Sequence, residues 1–146
     1  VLDNKDKDLK EDKFKPLYTE AKNIKIVQEA MFSSTNDVRG TSYKSRIEDP
    51  KYQFAGKTGT AQVKRITKQD RDLDLKTFEI PYEERDHALY VAYGPFRNPR
   101  YAISILIEHG GSGSSVAAPL AKQLFKKVID RHQIRKDFNS KKYLDI

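Results

Sequence analysis

Residues 56–62 read GKTGTAQ, and this short stretch is the strongest guide to both the fold and the site. It places a lysine, two hydroxyl side chains and a glycine together, just before a run that alternates like a strand. Lys57 supplies a fixed positive charge, and Thr58 and Thr60 supply hydroxyl donors. Gly59 has no Cβ, so a second backbone can approach closely. The stretch therefore suits a strand edge that receives an anionic peptide end.

Three strands are predicted from this stretch onward. Alternation predicts one strand at 61–66, continuing from the stretch itself, and two more at 87–93 and 101–108. Residues 94–100 between the last two contain two prolines and a glycine, as hairpin loops do. The core of the last strand, AISILI at 102–107, is almost entirely apolar. We therefore expect both of its faces to be covered.

Two helices complete the predicted fold. Apolar residues at helical spacing predict one helix at 24–32, ended by the turn-forming run SSTND at 33–37. The second helix follows the glycine-rich run GGSG at 110–113, with Ser114 or Ser115 as its N-cap. The glycine-rich run lacks the ending of a phosphate-binding loop, and we interpret it as a flexible strand-to-helix connection.

The C-terminal helix is predicted to be amphipathic, with Pro119 tolerated in its first turn. Two adjacent apolar stripes run along it: Val116, Leu120, Leu124 and Val128 form the first, and Ala117, Ala121, Phe125 and Ile129 form the second. The polar segment 67–84 has no periodic pattern and is expected to be a long loop. The order of helix, strand, loop, hairpin and helix predicts an α+β domain with an antiparallel sheet.

Composition narrows the class of protein. The chain has 146 residues, of which 37% are hydrophobic and 34% charged, enough for one domain with a modest core. No apolar run reaches the roughly 18 residues of a membrane span. The absence of cysteine excludes disulfides and thiolate metal sites. His87, His109 and His132 lack metal-ligand spacing, and we expect them to be structural.

The net charge of +7 is concentrated at the C-terminus. Residues 121–146 hold eight lysines and arginines against three aspartates. Residues 1–23 alternate lysine with acidic residues and are expected to be flexible or an excursion loop. We expect residues 24–132 to form the domain and residues 133–146 a basic tail. No aromatic residues interleave regularly in the tail, which favours a solvated helix face over a nucleic-acid site.

Several motifs follow one another in a characteristic order: GKTGTAQ at 56–62, HALYVAYGP at 87–95, NPRYAI at 98–103, EHGGSG at 108–113 and AP at 118–119. This series resembles the C-terminal part of penicillin-binding protein transpeptidase domains, above all the class B, elongation-type enzymes called penicillin-binding protein 2. The resemblance covers roughly residues 24–132. It implies the penicillin-binding transpeptidase and serine β-lactamase-like fold, with three strands of its antiparallel sheet and a packed C-terminal helix in this chain.

The nucleophile motif of that family, Ser-x-x-Lys, is absent from the sequence, because no serine has a lysine three positions later. Ser34-Thr35-Asn36 matches the letters of the second motif, Ser-x-Asn, but it lies too close to Lys57 and is interpreted as a chance match. We therefore expect the chain to be the C-terminal portion of a longer protein, with its nucleophile upstream of Val1. Alone, the chain is expected to be inactive.

The resemblance implies a D,D-transpeptidase, which acylates a serine with a peptide ending in D-Ala-D-Ala and is also acylated by penicillins. It assigns catalytic roles to Lys57, through its charge, and to Thr60, whose backbone N–H would be an oxyanion donor. It assigns substrate binding to Lys57, Thr58, Gly59 and Thr60. It implies neither a metal nor another cofactor.

The implied partners are the peptidoglycan stem peptide, β-lactam antibiotics, a membrane glycan polymerase and elongation-complex proteins, but not nucleic acid. The parent protein would lie in the bacterial inner membrane with a periplasmic catalytic domain, and this portion would itself be soluble. Two alternatives remain open. One is a β-lactam sensor or serine β-lactamase domain, and the other is a non-enzymatic module that uses the basic C-terminal helix.

Overall fold

A computed structural model describes residues 20–65, 68 and 75–142. Its regular elements are α1 (Ala21–Asn36), β1 (Ala55–Ala61), β2 (His87–Gly94), β3 (Tyr101–Ile107) and α2 (Ala118–Lys142). Short 3₁₀ turns occur at Tyr43–Ser45, Thr77–Glu79 and Tyr82–Glu84. The strands form one antiparallel sheet in the order β1-β2-β3. The predicted α+β class, the antiparallel sheet of three strands and the packed C-terminal helix are confirmed.

The β2–β3 hairpin lies where the sequence predicted it. Its register pairs Gly94 with Tyr101 at the loop and Ala88 with Ile107 at the far end. The expectation that β3 is covered on both faces is wrong, because alternate residues along it are exposed, including Leu106 at 56%. Within the described chain the helical layer covers one face of this strand, where its isoleucines pack on the core. Apolar composition alone therefore overstated the burial of β3.

Strand β1 begins earlier than predicted. The predicted strand at 61–66 is wrong, since the strand is Ala55–Ala61 and residues 62–65 are irregular; residue 66 lies outside the described residues. Pairing with β2 fixes this position, from Ala55 opposite Tyr93 to Ala61 opposite His87. Gly56 is part of the fit, because a Cβ there would lie 2.6 Å from Cε1 of the Tyr90 ring. Tertiary contact, and not β-propensity, decides where this strand lies.

Helix α1 begins three residues before the predicted start and continues to Asn36, four residues beyond the predicted end at 32; it does end within the 33–37 run, with Asp37 as its C-cap. The polar side chains of its last turn find partners without breaking the helix. Thr35 Oγ1 lies 3.4 Å from the carbonyl oxygen of Met31. Asn36 Nδ2 donates to the carbonyl oxygens of Phe32 and Phe54, each at 3.0 Å, which ties the helix to the residue before β1. Polar residues satisfied in this way need not end a helix.

Helix α2 supplies most of the core that lies on the sheet. It follows a single π-helical turn, Gly113–Ala117, flanked by Ser112. The predicted N-cap at Ser114 or Ser115 is therefore wrong, whereas Pro119 does fall in the first turn. The second predicted stripe is the buried one: Ala117, Ala121, Phe125 and Ile129 face the core, together with Ala118, which was in neither stripe. In the first stripe, Leu120 and Leu124 are 41% and 42% exposed, because they lie beside the packing face.

Beyond the core, α2 continues without interruption through residue 133, where the sequence placed the start of a basic tail, and ends at Lys142. No helix in the described ranges is both long enough and apolar enough to cross a bilayer.

The hydroxyl of Tyr90 is buried in a cluster of polar side chains beneath β1. Tyr90 is fully buried, and its Oη lies 3.0 Å from Thr35 Oγ1 and 3.1 Å from Ser42 Oγ. Both partners are themselves buried. Burial raises the pKa of Tyr90 above its usual value of 10.0, and the hydrogen bonds with Ser42 and Thr35 offset part of that rise. The cluster joins α1, the turn after it and β2.

Replacing Tyr90 by phenylalanine should lower the free energy of unfolding by about 1 kcal/mol at neutral pH, since Thr35 and Ser42 keep backbone partners. In the folded wild-type protein the pKa of Tyr90 is raised, which means that the fold favours its neutral hydroxyl. The contribution of this hydroxyl to the free energy of unfolding is complete below pH 10 and is lost as the pH rises through the raised pKa. Urea denaturation across this range checks the result. The Tyr90→Phe variant should lose less stability above pH 10 than the wild type. The exposed control, Tyr82→Phe, should follow the wild type; equal alkaline loss in Tyr90→Phe would contradict the assignment.

Candidate active site

The stretch GKTGTA lies in β1, the strand at one edge of the sheet. Exposure rises along the strand: Ala55 and Gly56 are buried, whereas Lys57 and Thr60 are exposed. In the part of the chain that the structure describes, β1 pairs with β2 and with no second strand. An edge of this kind presents unpaired backbone groups to an extended peptide. The four residues that the sequence singled out thus lie together on the outermost strand.

Lys57 carries an uncompensated positive charge on this strand. Its Nζ folds back to donate to the carbonyl oxygen of Thr58 at 2.7 Å, and it lies 3.4 Å from Thr58 Oγ1. Over the described ranges, no carboxylate forms an ion pair with Lys57. The ammonium group is therefore held beside the first hydroxyl of the strand and is available to an anionic ligand.

A row of hydroxyl groups leads from α1 to the strand, a feature the sequence analysis did not identify. Ser34 Oγ lies 3.2 Å from Thr41 Oγ1, which lies 3.4 Å from Thr58 Oγ1. The signal in the sequence was weak, because Thr41 follows a turn glycine and has no motif around it. Ser34 belongs to the Ser-x-Asn match, but its Asn36 binds backbone carbonyl groups. These contacts agree with a structural interpretation of that match.

The glycine-rich run packs directly against β1 and β2. A Cβ at Gly113 would lie 2.6 Å from the carbonyl oxygen of Gly59, and the backbone of Leu89 is as close. The interpretation of residues 110–113 as merely a flexible connection is therefore wrong. Gly113 is buried because the π-helical turn contacts the strand backbone from the side of α2. This contact supports the backbone of the strand that carries Lys57 and Thr60.

Two of the histidines have structural partners. The backbone N–H of His109 donates to Nδ1 of His87 at 2.9 Å, and His109 Nδ1 lies 3.1 Å from the carbonyl oxygen of Arg85. Their rings meet edge to face, with centroids 4.8 Å apart. These contacts confirm the structural interpretation of His87 and His109. In the residues with described positions, no three side chains of metal-ligating type gather into a site.

Comparison with known proteins identifies the family. The family model described as penicillin binding protein transpeptidase domain matches residues 3–126. The peptidoglycan D,D-transpeptidase MrdA of Salmonella typhimurium is 36% identical over 105 residues, which are 72% of this chain and 16% of that protein. The MrdA protein of Acinetobacter baumannii is 44% identical over 79 residues, covering 54% of this chain and 11% of that protein. The chain thus spans about a sixth or less of these relatives.

Solved structures agree with the sequence matches. The PBP2 of Pseudomonas aeruginosa in complex with WCK 5153 is 32% identical, with a TM-score of 0.59, over 78% of this chain and 21% of that one. The PBP2 of Helicobacter pylori, in a complex with MreC, is 33% identical, with a TM-score of 0.59, over 75% and 17%. The motifs that suggested the resemblance therefore lie in a chain whose sequence and fold both match these proteins. The chain belongs to the penicillin-binding protein transpeptidase family, and its similarity is to the penicillin-binding protein 2 group.

Proposed function

We propose that this chain forms the substrate-binding strand of a peptidoglycan D,D-transpeptidase. The single observation that carries the proposal is the placement of Lys57, Thr58, Gly59 and Thr60 on the exposed part of an edge strand. A stem peptide ending in D-Ala-D-Ala would lie along this edge as an added strand. Its terminal carboxylate would bind Lys57 and the two hydroxyl groups. A β-lactam carboxylate would occupy the same position.

Each residue has a distinct physical role in the proposal. At about 4 Å and an effective dielectric constant near 20, the charge of Lys57 is worth on the order of 4 kcal/mol before desolvation. Thr58 and Thr60 donate hydrogen bonds to the carboxylate, and Gly59 leaves the front of the strand flat. The backbone N–H of Thr60 is one of two oxyanion donors. Removing one such donor costs roughly 2.7–4 kcal/mol of transition-state stabilisation.

Acyl transfer in this proposal uses a serine that is not in the sequence, because no Ser-x-x-Lys occurs in it. That serine attacks the carbonyl carbon of the penultimate D-alanine, and the terminal D-alanine leaves. The amine of a neighbouring stem peptide then takes the acyl group and frees the serine. The second oxyanion donor is the backbone N–H of the nucleophile. This chain alone therefore supplies one wall of the site and is not acylated.

We also propose the setting in which the parent protein acts. A related PBP2 was solved in a complex with MreC, which supports a role beside elongation-complex proteins. A membrane glycan polymerase is proposed as a further partner from the family resemblance alone. The proposed location is the bacterial inner membrane, with the catalytic part in the periplasm. No nucleic-acid partner is proposed.

Fluorescent penicillin tests the function directly. The parent protein, in which a Ser-x-x-Lys segment precedes this chain, should be labelled covalently, whereas the 146-residue chain alone should not. In the parent, Lys57→Ala and Thr58→Val should each lower the second-order rate constant of acylation roughly 10- to 100-fold, the size of a lost charge-assisted hydrogen bond. The variant Lys25→Ala, at an exposed position on α1, is the matched control and should react at the wild-type rate.

Three outcomes would contradict the proposal. The first is labelling of the isolated chain, and the second is an unchanged acylation rate in Lys57→Ala. The third is rapid hydrolytic release of penicillin by the parent, which would indicate a β-lactamase. Salt-sensitive binding of DNA by the chain, without any acylation of the parent, would instead support the basic-module alternative.

A further inference from the structure

A second candidate site lies at the hairpin end of the sheet. A cavity of about 270 Å³ opens there between the β2–β3 loop, the segment before β1 and helix α2. This end of the sheet is marked by the pairing of Ala55 with Tyr93, whereas Thr60 pairs with Ala88 toward the opposite end. The cavity is therefore separate from the exposed part of β1, and nothing proposed above uses it.

The cavity has a positively charged lining. Lys51, Arg97 and Arg100 contribute to it, and no aspartate or glutamate does. Lys51 is paired, with its Nζ 3.4 Å from Asp130 Oδ1. The two arginines form no ion pair with any carboxylate in the described part of the chain. Two exposed arginines thus line one concavity without an ion-pair partner in the described residues.

A second cavity nearby differs in that carboxylates contribute to its lining. It is lined by Lys44, Arg46, Lys122 and Lys126, but also by the carboxylates of Glu48 and Asp49. Arg46 is bound there to Glu48, at 2.6 Å. Two carboxylates thus offset part of the positive charge in the lining of that cavity, whereas the lining of the hairpin cavity contains none.

His132 adds an independent observation. It lines the cavity, its ring meets Tyr101 edge to face at 6.0 Å, and its Nε2 is buried without a hydrogen-bond partner in the described chain. A buried polar atom left unpaired is costly, and such atoms are rare in folded proteins. A cavity lined by this ring nitrogen and by two arginines without ion-pair partners suits a ligand that carries hydrogen-bonding oxygen atoms.

The loop that carries the arginines is held in place. The N–H of Phe96 donates to the carbonyl oxygen of Gln53 at 2.7 Å, and that of Arg100 donates to Gly94 at 3.1 Å. The Phe96 ring stacks on Phe32 of α1, with centroids 4.1 Å apart. A loop anchored in this way has little backbone ordering left to do when a ligand arrives.

We propose that the hairpin cavity binds an oxyanion, a phosphate or carboxylate, attached to a small apolar group. Arginine forks match the geometry of both anions and bind them in pairs of hydrogen bonds. The rest of the lining combines apolar side chains, from Pro50, Pro95, Tyr101 and Ile129, with the amides of Asn98 and Gln133. The volume lies just below the roughly 300–1,000 Å³ of pockets that hold drug-sized ligands, which favours a small ligand.

Titration of the 146-residue chain with phenyl phosphate, followed by backbone and histidine side-chain NMR, tests this site. Chemical shifts should change at the 94–100 loop and at His132. Benzoate should bind at the same place, inorganic phosphate more weakly because it lacks the ring, and benzyl alcohol should not bind. Whichever of phenyl phosphate and benzoate has the lower Kd shows whether the cavity prefers a phosphate or a carboxylate.

Charge-neutral variants complete the test. Arg97→Gln and Arg100→Gln should each weaken phenyl phosphate binding about tenfold or more, the effect of one lost charged hydrogen bond. Arg131→Gln removes the same charge from an exposed position next to His132 that does not line the cavity, and should change the Kd by less than about twofold. Equal weakening by Arg131→Gln, equal binding of benzyl alcohol, or shifts spread over all basic residues would overturn the proposal. Circular dichroism confirms that each variant is folded.

Discussion

Replacing Gly113 by alanine is expected to lower the free energy of unfolding by about 3 kcal/mol, at the upper end of the usual cost of overpacking. The added Cβ would lie 2.6 Å from the carbonyl oxygen of Gly59 and would also overlap the backbone of Leu89. Both obstacles are main-chain atoms of paired strands, so no side chain can rotate away. Relief requires the π-helical turn to move off the sheet, which would disturb the strand that carries Lys57.

Urea denaturation measures the loss of stability, and amide chemical shifts at Gly59 and Leu89 report whether the strand has moved. The matched control is Ser115→Ala, an exposed change in the same turn, which should leave stability within about 0.5 kcal/mol. If Gly113→Ala is as stable as the control and its strand amides are unshifted, the close packing of this turn on β1 is not a constraint.

Truncation of Phe125 to alanine is expected to have the largest effect on the core, about 3–5 kcal/mol. Phe125 is fully buried on α2 and stacks on Phe54, with ring centroids 4.9 Å apart. It also fills the space above Gly94, where a Cβ would lie 3.1 Å from its ring. Since Phe54 immediately precedes β1, this one side chain joins the helix to the start of β1 and to the hairpin.

The denaturant midpoint measures this loss, and Phe125→Leu provides a second variant should the alanine variant fail to fold. The leucine variant should lose clearly less stability than the alanine variant, because it leaves a smaller cavity. The control is Phe78→Ala, since Phe78 is 71% exposed and its removal should cost little. A loss for Phe125→Ala no greater than that for Phe78→Ala would show that the helix does not anchor the sheet.

Sequence patterns predicted those elements whose own residues determine them. The β2–β3 hairpin and α2 were predicted because alternation, turn residues and a helical stripe are local signals. Strand β1 was predicted too far along the chain because its sequence, AGKTGTA, has no apolar alternation, while the VKRI run after it alternates as a strand does. Its true position depends on pairing with β2 and on room for Tyr90 above Gly56, and neither is visible in local sequence.

In the candidate site, too, local motifs were predicted from the sequence and contacts between distant residues were not. Lys57 and Thr60 were identified because their motif is contiguous and precedes a predicted strand. The hydroxyl row through Thr41, and the contact of Gly113 with Gly59, were missed because each joins residues that are distant in sequence. The sequence also did not show which of the two apolar stripes of α2 is buried. Residues on adjacent stripes are equally apolar, and only the position of the sheet decides that Phe125 is buried.

The strand that carries Lys57 comes first in the sheet, yet its position depends on residues that come much later. Gly56 lies beneath Tyr90, and Gly59 lies against Gly113. Bringing such distant residues together costs more chain entropy than closing the β2–β3 hairpin across its short loop. The hairpin is therefore expected to form early and β1 to join it late. During synthesis, we therefore expect the part of β1 around Lys57 to take its final position only after Gly113, which packs on Gly59, has left the ribosome.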